Sequence, residues 1–178
     1  MMGSGKSSVG RELSGLLSLP FVDLDSYIES KTGRKIPEIF AEEGEVAFRK
    51  MECRALDEIL DKCGNPSQRV FANEGLVLSL GGGTLTSVEN AEKIATGTIC
   101  FYLKATAETL VSRLSGEAQG RPMLAGEELR GRIAGLLKER EAVYEKTARH
   151  IIVTDGLSVG EIASTIAKLV MESPDFEY

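Results

Sequence analysis

Four groups of residues in this chain have types and spacings that could do chemistry. Gly3-Ser4-Gly5-Lys6-Ser7-Ser8 puts a lysine and hydroxyls behind a glycine-bearing turn. In the full pattern G-x-x-x-x-G-K-[ST], backbone N–H groups cradle phosphates, the lysine reaches the β/γ oxygens and the hydroxyl meets Mg²⁺. Gly5, Lys6 and Ser7 fill the last three positions, and the first glycine would fall immediately before Met1. Glycines weaken a helix start unless the backbone must approach something closely, and a lysine beside a positive helix end calls for an anion. Asp23 and Asp25 follow in a D-x-D spacing that on a strand would aim both carboxylates at one face. They could be solvated strand-end groups or helix caps, Asp25 in particular, or else a Mg²⁺ shell and a base for an acceptor hydroxyl.

Gly81-Gly82-Gly83 ends the apolar run Leu76–Leu80. Three glycines in succession cost conformational entropy, which close approach of a ligand to bare backbone would explain; a plain loop is the other reading. Arg121 lies in a glycine-rich polar stretch, 115–127, where a mobile arginine over phosphates would neutralise developing charge. Arg49 and Arg140 sit on helical patterns, and their spacing alone does not distinguish them from surface residues.

The elements that must position these groups alternate between helix and strand. Val9, Leu13, Leu16 and Leu17 predict a helix over Lys6–Leu17, its N-terminus at the phosphate loop. Phe21–Asp25 reads as a strand, and Ser26–Thr32 as a helical turn stopped by Gly33. Phe48, Met51, Ala55, Ile59 and Cys63 mark a longer helix ended by Gly64-Asn65-Pro66. Leu76–Leu80, Ile99–Leu103 and Ile151–Val153 are strands; Thr106–Leu114 and Glu128–Tyr144 are helices. Ser158 and Glu161 form a capping box for a last helix to Met171. Such alternation implies an α/β fold with helices on both faces of a mostly parallel sheet, and ligands bind beyond the carboxyl ends of such strands. The phosphate loop, the D-x-D pair and the glycine triplet are therefore expected to converge.

Bulk properties narrow the function classes. The chain has 178 residues, 42% hydrophobic and 27% charged, with a formal charge of −6. That suits one globular domain and argues against a non-specific nucleic-acid binder. Cys53, Cys63 and Cys100 form no C-x-x-C pair and read as reduced apolar residues; with His150 the sole histidine, a zinc site is not expected. No stretch has the length of a membrane span or the pattern of a signal peptide, which points to the cytoplasm.

The ordered set GSGKSSVG, VDLDSYIESKTGRKIPEIFAEEGEVAFRKME, LSLGGG, GRPML and LLKEREAVY resembles shikimate kinase over nearly the whole chain. The middle segment is the most specific: D-x-D, then T-G-R-x-I-x-x-I-F, then G-E-x-x-F-R-x-x-E. The resemblance implies a three-layer α/β/α nucleoside-monophosphate-kinase-like fold with strand order 2-3-1-4-5. It implies one domain, 1–178, with the phosphate loop at 1–8, a substrate-binding segment at about 25–60 and a lid at about 115–127. It implies ATP and Mg²⁺ as cofactors and phosphorylation of the 3-hydroxyl of shikimate, by a monomer without nucleic-acid or membrane partners. Gly3, Ser4, Gly5, Lys6, Ser7 and Ser8 would bind ATP phosphates; Ser7 and Asp23 would serve the metal. Asp25 would bind the ring hydroxyls and act as base, and Lys6 and Arg121 would complete the catalytic set. Arg49 and Arg140 look like the carboxylate clamp, Gly81, Gly82 and Gly83 like the substrate lining, and Ile36, Phe40 and Phe48 like its apolar wall. Arg113 matches the residue that stacks on adenine and Arg121 the lid arginine. The loop after Val153 looks short where the family contacts adenine and receives no assignment.

The rival readings are another small-molecule kinase of this fold, such as a gluconate kinase, and a non-catalytic nucleotide-binding relative. The departure from the pattern is the first loop glycine and the strand before it, which is the central strand of the implied order. The expectation is a native start roughly ten residues earlier, and, for this chain, lower stability and activity or a gap where that strand belongs.

Overall fold

The structure is a computed structural model and describes residues 1–64, 75–117 and 124–173. Helix α1 covers Lys6–Leu17, as the spacing predicts, and buries Val9, Gly10, Leu13 and Leu17. Gly10 is required there: a Cβ would lie 2.5 Å from the Phe21 ring, so its absence lets α1 settle on the first strand. That strand, β1, is Phe21–Asp23 and hands over at once to α2, Leu24–Thr32. The chain leaves α2 through Gly33 in the left-handed region at φ 68°, the expected stop.

Helix α3 spans Ile36–Gly64 and is two helices joined at Gly44, whose φ of 78° and ψ of 176° break the helical path. Strand β2 is Val77–Ser79, followed by a 3₁₀ turn at Thr84–Thr86 and α4, Val88–Gly97, capped by Ser87. Strand β3 (Phe101–Lys104), α5 (Ala107–Glu117), α6 (Leu124–Thr147) and β4 (His150–Val153) come next. The last helix, α7, is Val159–Met171, and both hydrogen bonds of the Ser158/Glu161 capping box are present.

All strand pairing is parallel. β1 pairs with β2 in the register Phe21↔Val77 to Asp23↔Ser79, and β3 pairs with β4 from Phe101↔His150 to Lys104↔Val153. Among the described residues no strand joins the two pairs, so the order is strands 2-3 and 4-5 of the expected sheet with a gap between. Val9, Leu13 and Leu17 of α1 and Ile162, Ala163 and Ile166 of α7 pack with Leu103 and Ile152 on one face. Tyr102 packs on the other with Leu110, Ile133 and Tyr144 from α5 and α6. A third cluster, Leu24, Ile28, Ile39, Phe48, Ala55 and Ile59, holds α2 against α3. The first two clusters put helices on both faces of the strands, the expected three-layer arrangement.

One local expectation is corrected. Asp25 does not alternate with Asp23 along a strand, because β1 ends at Asp23 and Asp25 lies in the first turn of α2. The reason is that Asp23 is the helix cap, its Oδ1 accepting from Ser26 N at 3.1 Å.

Candidate active site

The phosphate loop turns through Gly3 and Gly5, both left-handed at φ 69° and 82°, directly into α1. Ser4 is buried and donates to the Met1 carbonyl at 2.8 Å, and Lys6 Nζ donates to the same oxygen at 2.6 Å. Burial pulls the Lys6 ammonium below its usual range, while the charges of Asp25 and Asp23 act to restore it. Ser7 Oγ donates to Asp23 Oδ2 at 2.6 Å, and Ser8 is exposed on the first turn of α1. Burial pushes Asp23 up, but hydrogen bonds from Ser7, Ser26 and Ser79 outweigh it and hold the carboxyl below the usual aspartate range.

Asp25 behaves in the opposite way. Burial raises it, the neighbouring charges of Asp23 and Glu52 raise it further, and Lys6 and Arg49 only partly compensate. Its carboxylate lies against the glycine triplet: a Cβ on Gly81 would come within 2.8 Å of Asp25 Oδ1 and 2.9 Å of Glu52 Oε1.

Gly83 is approached as closely by Arg49, whose Cζ and Nη1 would each lie 2.6 Å from an added Cβ. Arg140 Nη1 donates to the Gly82 carbonyl at 3.0 Å, and Tyr144 Oη donates to the same oxygen at 2.5 Å. The triplet is thus bare because the protein's own polar side chains crowd it, and not only to admit a ligand. A Gly83→Ala change is expected to displace the Arg49 guanidinium while leaving the fold in place. The acceptor KM should then rise by about ten-fold or more, on the scale of one charge-assisted contact, and the melting temperature should fall because Arg49 is drawn off the buried Glu52. Steady-state kinetics beside a thermal melt checks this.

Arg49 is oriented from behind. Its Nη1 donates to Glu52 Oε2 at 2.8 Å, and Nη2 and Nε to Glu45 Oε1 at 3.0 and 3.3 Å. Glu52 is only 1% exposed, so its charge must be paired; Thr84 Oγ1 completes it at 2.6 Å. Arg49 also stands over the Phe48 ring at 5.4 Å. Phe48 is buried, Phe40 lies partly exposed across it at 4.7 Å between centroids, and Ile36 packs at the edge of the same cluster.

Of the residues the sequence singled out, Lys6, Ser7, Asp23, Asp25, Arg49, Arg140 and Gly81–Gly83 converge. Arg113 lies apart from them, its Nη2 on the Thr154 carbonyl at 2.8 Å and its Nη1 3.3 Å from Thr154 Oγ1. Arg121 and the middle of the expected lid lie outside the described residues. Glu52, Thr84 and Tyr144 received no role from the sequence. For Glu52 the signal was there, since an i,i+3 spacing after Arg49 places both on one helix face.

The oxygen donors of Ser7 and Asp23 are the hard ligands that suit Mg²⁺. A second acidic group, Cys53 with Asp57 and Glu89, is bridged by Lys93, which binds both carboxylates at 2.5 and 2.8 Å. No helix among the described residues is long and apolar enough to cross a membrane.

The shikimate kinase family model matches residues 2–171. The chain belongs to the shikimate kinase family. A shikimate kinase of Thermus thermophilus is 41% identical over 94% of this chain and 84% of its own length. That of Halorhodospira halophila is 33% identical over 97% and 91%. Among solved structures, shikimate kinase from Acinetobacter baumannii in complex with shikimate superposes with a TM-score of 0.81 at 34% identity, covering 98% of this chain and 91% of that one. The enzyme from Bacteroides thetaiotaomicron gives 0.80 at 28% identity, over 96% and 94%. The family's reaction, transfer of a phosphoryl group from Mg²⁺·ATP to the 3-hydroxyl of shikimate, is the activity of this enzyme. The gluconate-kinase and non-catalytic readings fall away.

Proposed function

We propose that shikimate binds between the glycine triplet and α3, with its 3-hydroxyl at Asp25 and its carboxylate between Arg49 and Arg140. The observation that carries this reading is the convergence of one carboxylate and two guanidinium groups on Gly81–Gly83, beside the phosphate loop. The neighbour from A. baumannii was solved with shikimate bound, which supports a site of this kind here. Guanidinium groups suit the task because their planar fork meets a carboxylate with two parallel hydrogen bonds. Phe48, Phe40 and Ile36 offer the ring an apolar side.

The donor phosphates occupy the turn Gly3–Ser8, with Lys6 neutralising the charge of the transferring group. Ser7 and Asp23 would hold the metal, which when bound supplies neutralisation across the phosphate oxygens. Asp25 orients the acceptor hydroxyl and takes its proton late, because the transition state is largely dissociative and asks chiefly for positioning. Arg113 stacks on the adenine, and Arg121 closes over the phosphates from the lid at about 115–127, excluding water. We place these parts in a single domain, with 25–60 as the substrate-binding segment, and infer that it works as a monomer in the cytoplasm.

The pH profile tests the assignment of the base. Because burial and the charges of Asp23 and Glu52 raise Asp25, the acid limb of kcat/KM should lie above the ordinary aspartate value of 3.8. Glu52→Gln removes one of those charges and should move the limb to lower pH, whatever it does to the amplitude. A limb that stays in place under this change would exclude Asp25 as the titrating group.

A further inference from the structure

The turn after β4 received no role from the sequence, yet it holds α5 at two points. Asp155 Oδ1 accepts from Thr106 N at 3.1 Å, from Thr106 Oγ1 at 2.8 Å and from Thr109 Oγ1. Thr106 caps α5: its Oγ1 accepts from Thr109 N at 3.2 Å and its carbonyl from Leu110 N at 3.0 Å. A carboxylate 49 residues further along the chain therefore orients the first turn of this helix. The residue before it, Thr154, is fully buried, and its N–H donates to the Lys104 carbonyl at 2.8 Å. Thr154 is also where Arg113, two turns along α5, sets the edge of its guanidinium. Gly156 follows in the left-handed region at φ 75°, which allows the chain to turn away at once into α7.

The two contacts hold the Arg113 guanidinium by its edge, and a planar guanidinium held by its edge can offer a face to a ring, for which arginine is suited and lysine is not. That plane depends on two things: where the Thr154 carbonyl stands, and how α5 is turned about its axis. Asp155 ties the two together. Hydrogen bonds, that from Thr109 first, hold its carboxyl below the usual range, so it is an anion at working pH.

We infer that Asp155 is a positioning residue for the nucleotide: by pinning the first turn of α5 to the β4–α7 turn, it holds Arg113 where a purine base stacks. This inference rests on the proposed role of Arg113. Asp155 need not touch the nucleotide, and no proton or bond changes hands.

The test is binding of ADP and of tripolyphosphate, a probe without a base, by calorimetry on the whole enzyme, with shikimate KM measured alongside. Asp155→Ala should weaken ADP about ten-fold, the scale of a lost hydrogen-bonded charge, while tripolyphosphate and shikimate KM stay within about two-fold. Asp155→Asn, which keeps an acceptor oxygen, should recover most of the loss, and Thr109→Val, which removes one of the three donors, should fall between. On an Arg113→Ala background the Asp155→Ala change should add little, since a residue acting through another is not additive with it. Equal losses of ADP and tripolyphosphate, unchanged ADP binding in both Asp155→Ala and Thr109→Val, or full additivity with Arg113→Ala would each overturn the inference. An Arg113→Ala enzyme that binds ADP like its parent overturns the stacking role itself, a failure distinguishable from one in which Arg113 matters and Asp155 does not.

Discussion

Asp25→Asn is expected to bind ATP normally and to lose about a thousand-fold in kcat, the usual range for removing a general base that also orients the nucleophile. The amide keeps the shape of the carboxylate and could still accept a hydrogen bond from a substrate hydroxyl, so shikimate KM should move far less than kcat. The same substitution should stabilise the protein at neutral pH. Burial and the charges of Asp23 and Glu52 raise the folded-state carboxyl above 3.8, so the native state holds this proton more tightly than the unfolded chain does. Stability from that proton is complete below the unfolded value and is lost as pH rises through the folded one. Above that window the ionised Asp25 burdens the fold, and asparagine relieves it. A melting temperature that rises while turnover collapses is the expected pair of results. Near-normal kcat would remove Asp25 from the role of base.

Arg49→Ala and Arg140→Ala should each raise shikimate KM by about a hundred-fold, equivalent to roughly 3 kcal/mol for truncating one partner of a desolvated charge pair. ATP KM should change little. The two variants should differ in their effect on stability. Arg49 neutralises the buried Glu52 at 2.8 Å, so its loss strands a charge that, among the described residues, Thr84 alone still meets. Arg140 donates to a carbonyl that Tyr144 also serves; burial raises that phenol, which keeps it protonated as a donor. Arg49→Ala should therefore lower the melting temperature clearly, and Arg140→Ala only slightly. Equal effects of either substitution on ATP and shikimate would take that arginine out of the clamp.

How far these residues were legible in the sequence depended on how local their causes were. The helix Lys6–Leu17 came out at its observed ends because a glycine, a lysine and a 3.6-residue apolar repeat all act within the segment. The capping box at Ser158 and the stop at Gly33 are local in the same way. The break at Gly44 went unseen, since an isolated glycine in a helical pattern does not reveal its φ. Asp25 was misplaced on a strand because two hydrogen-bonding uses of aspartate competed, and Asp23 took the cap. The glycine triplet was recognised as a point of close approach, but which atoms approach it was set by α2, α3 and α6 folding together. Arg49 and Arg140 carried no spacing signal at all; they became a pair through the resemblance, and only packing brings both to one turn. Asp155 does its work through other side chains, and composition and periodicity do not register such a role.

In the proposed site, the Gly81–Gly83 turn, with Asp25, Arg49 and Arg140, selects shikimate by its hydroxyl and its carboxylate together. The direct measurement is acceptor-dependent ADP release with shikimate, shikimate methyl ester and gluconate at fixed Mg²⁺·ATP. Release should be fast with shikimate, kcat/KM should be lower by about two orders of magnitude with the ester, whose carboxylate charge is masked, and none should rise above background with gluconate. Turnover of the ester or of gluconate at the rate of shikimate would contradict that selection.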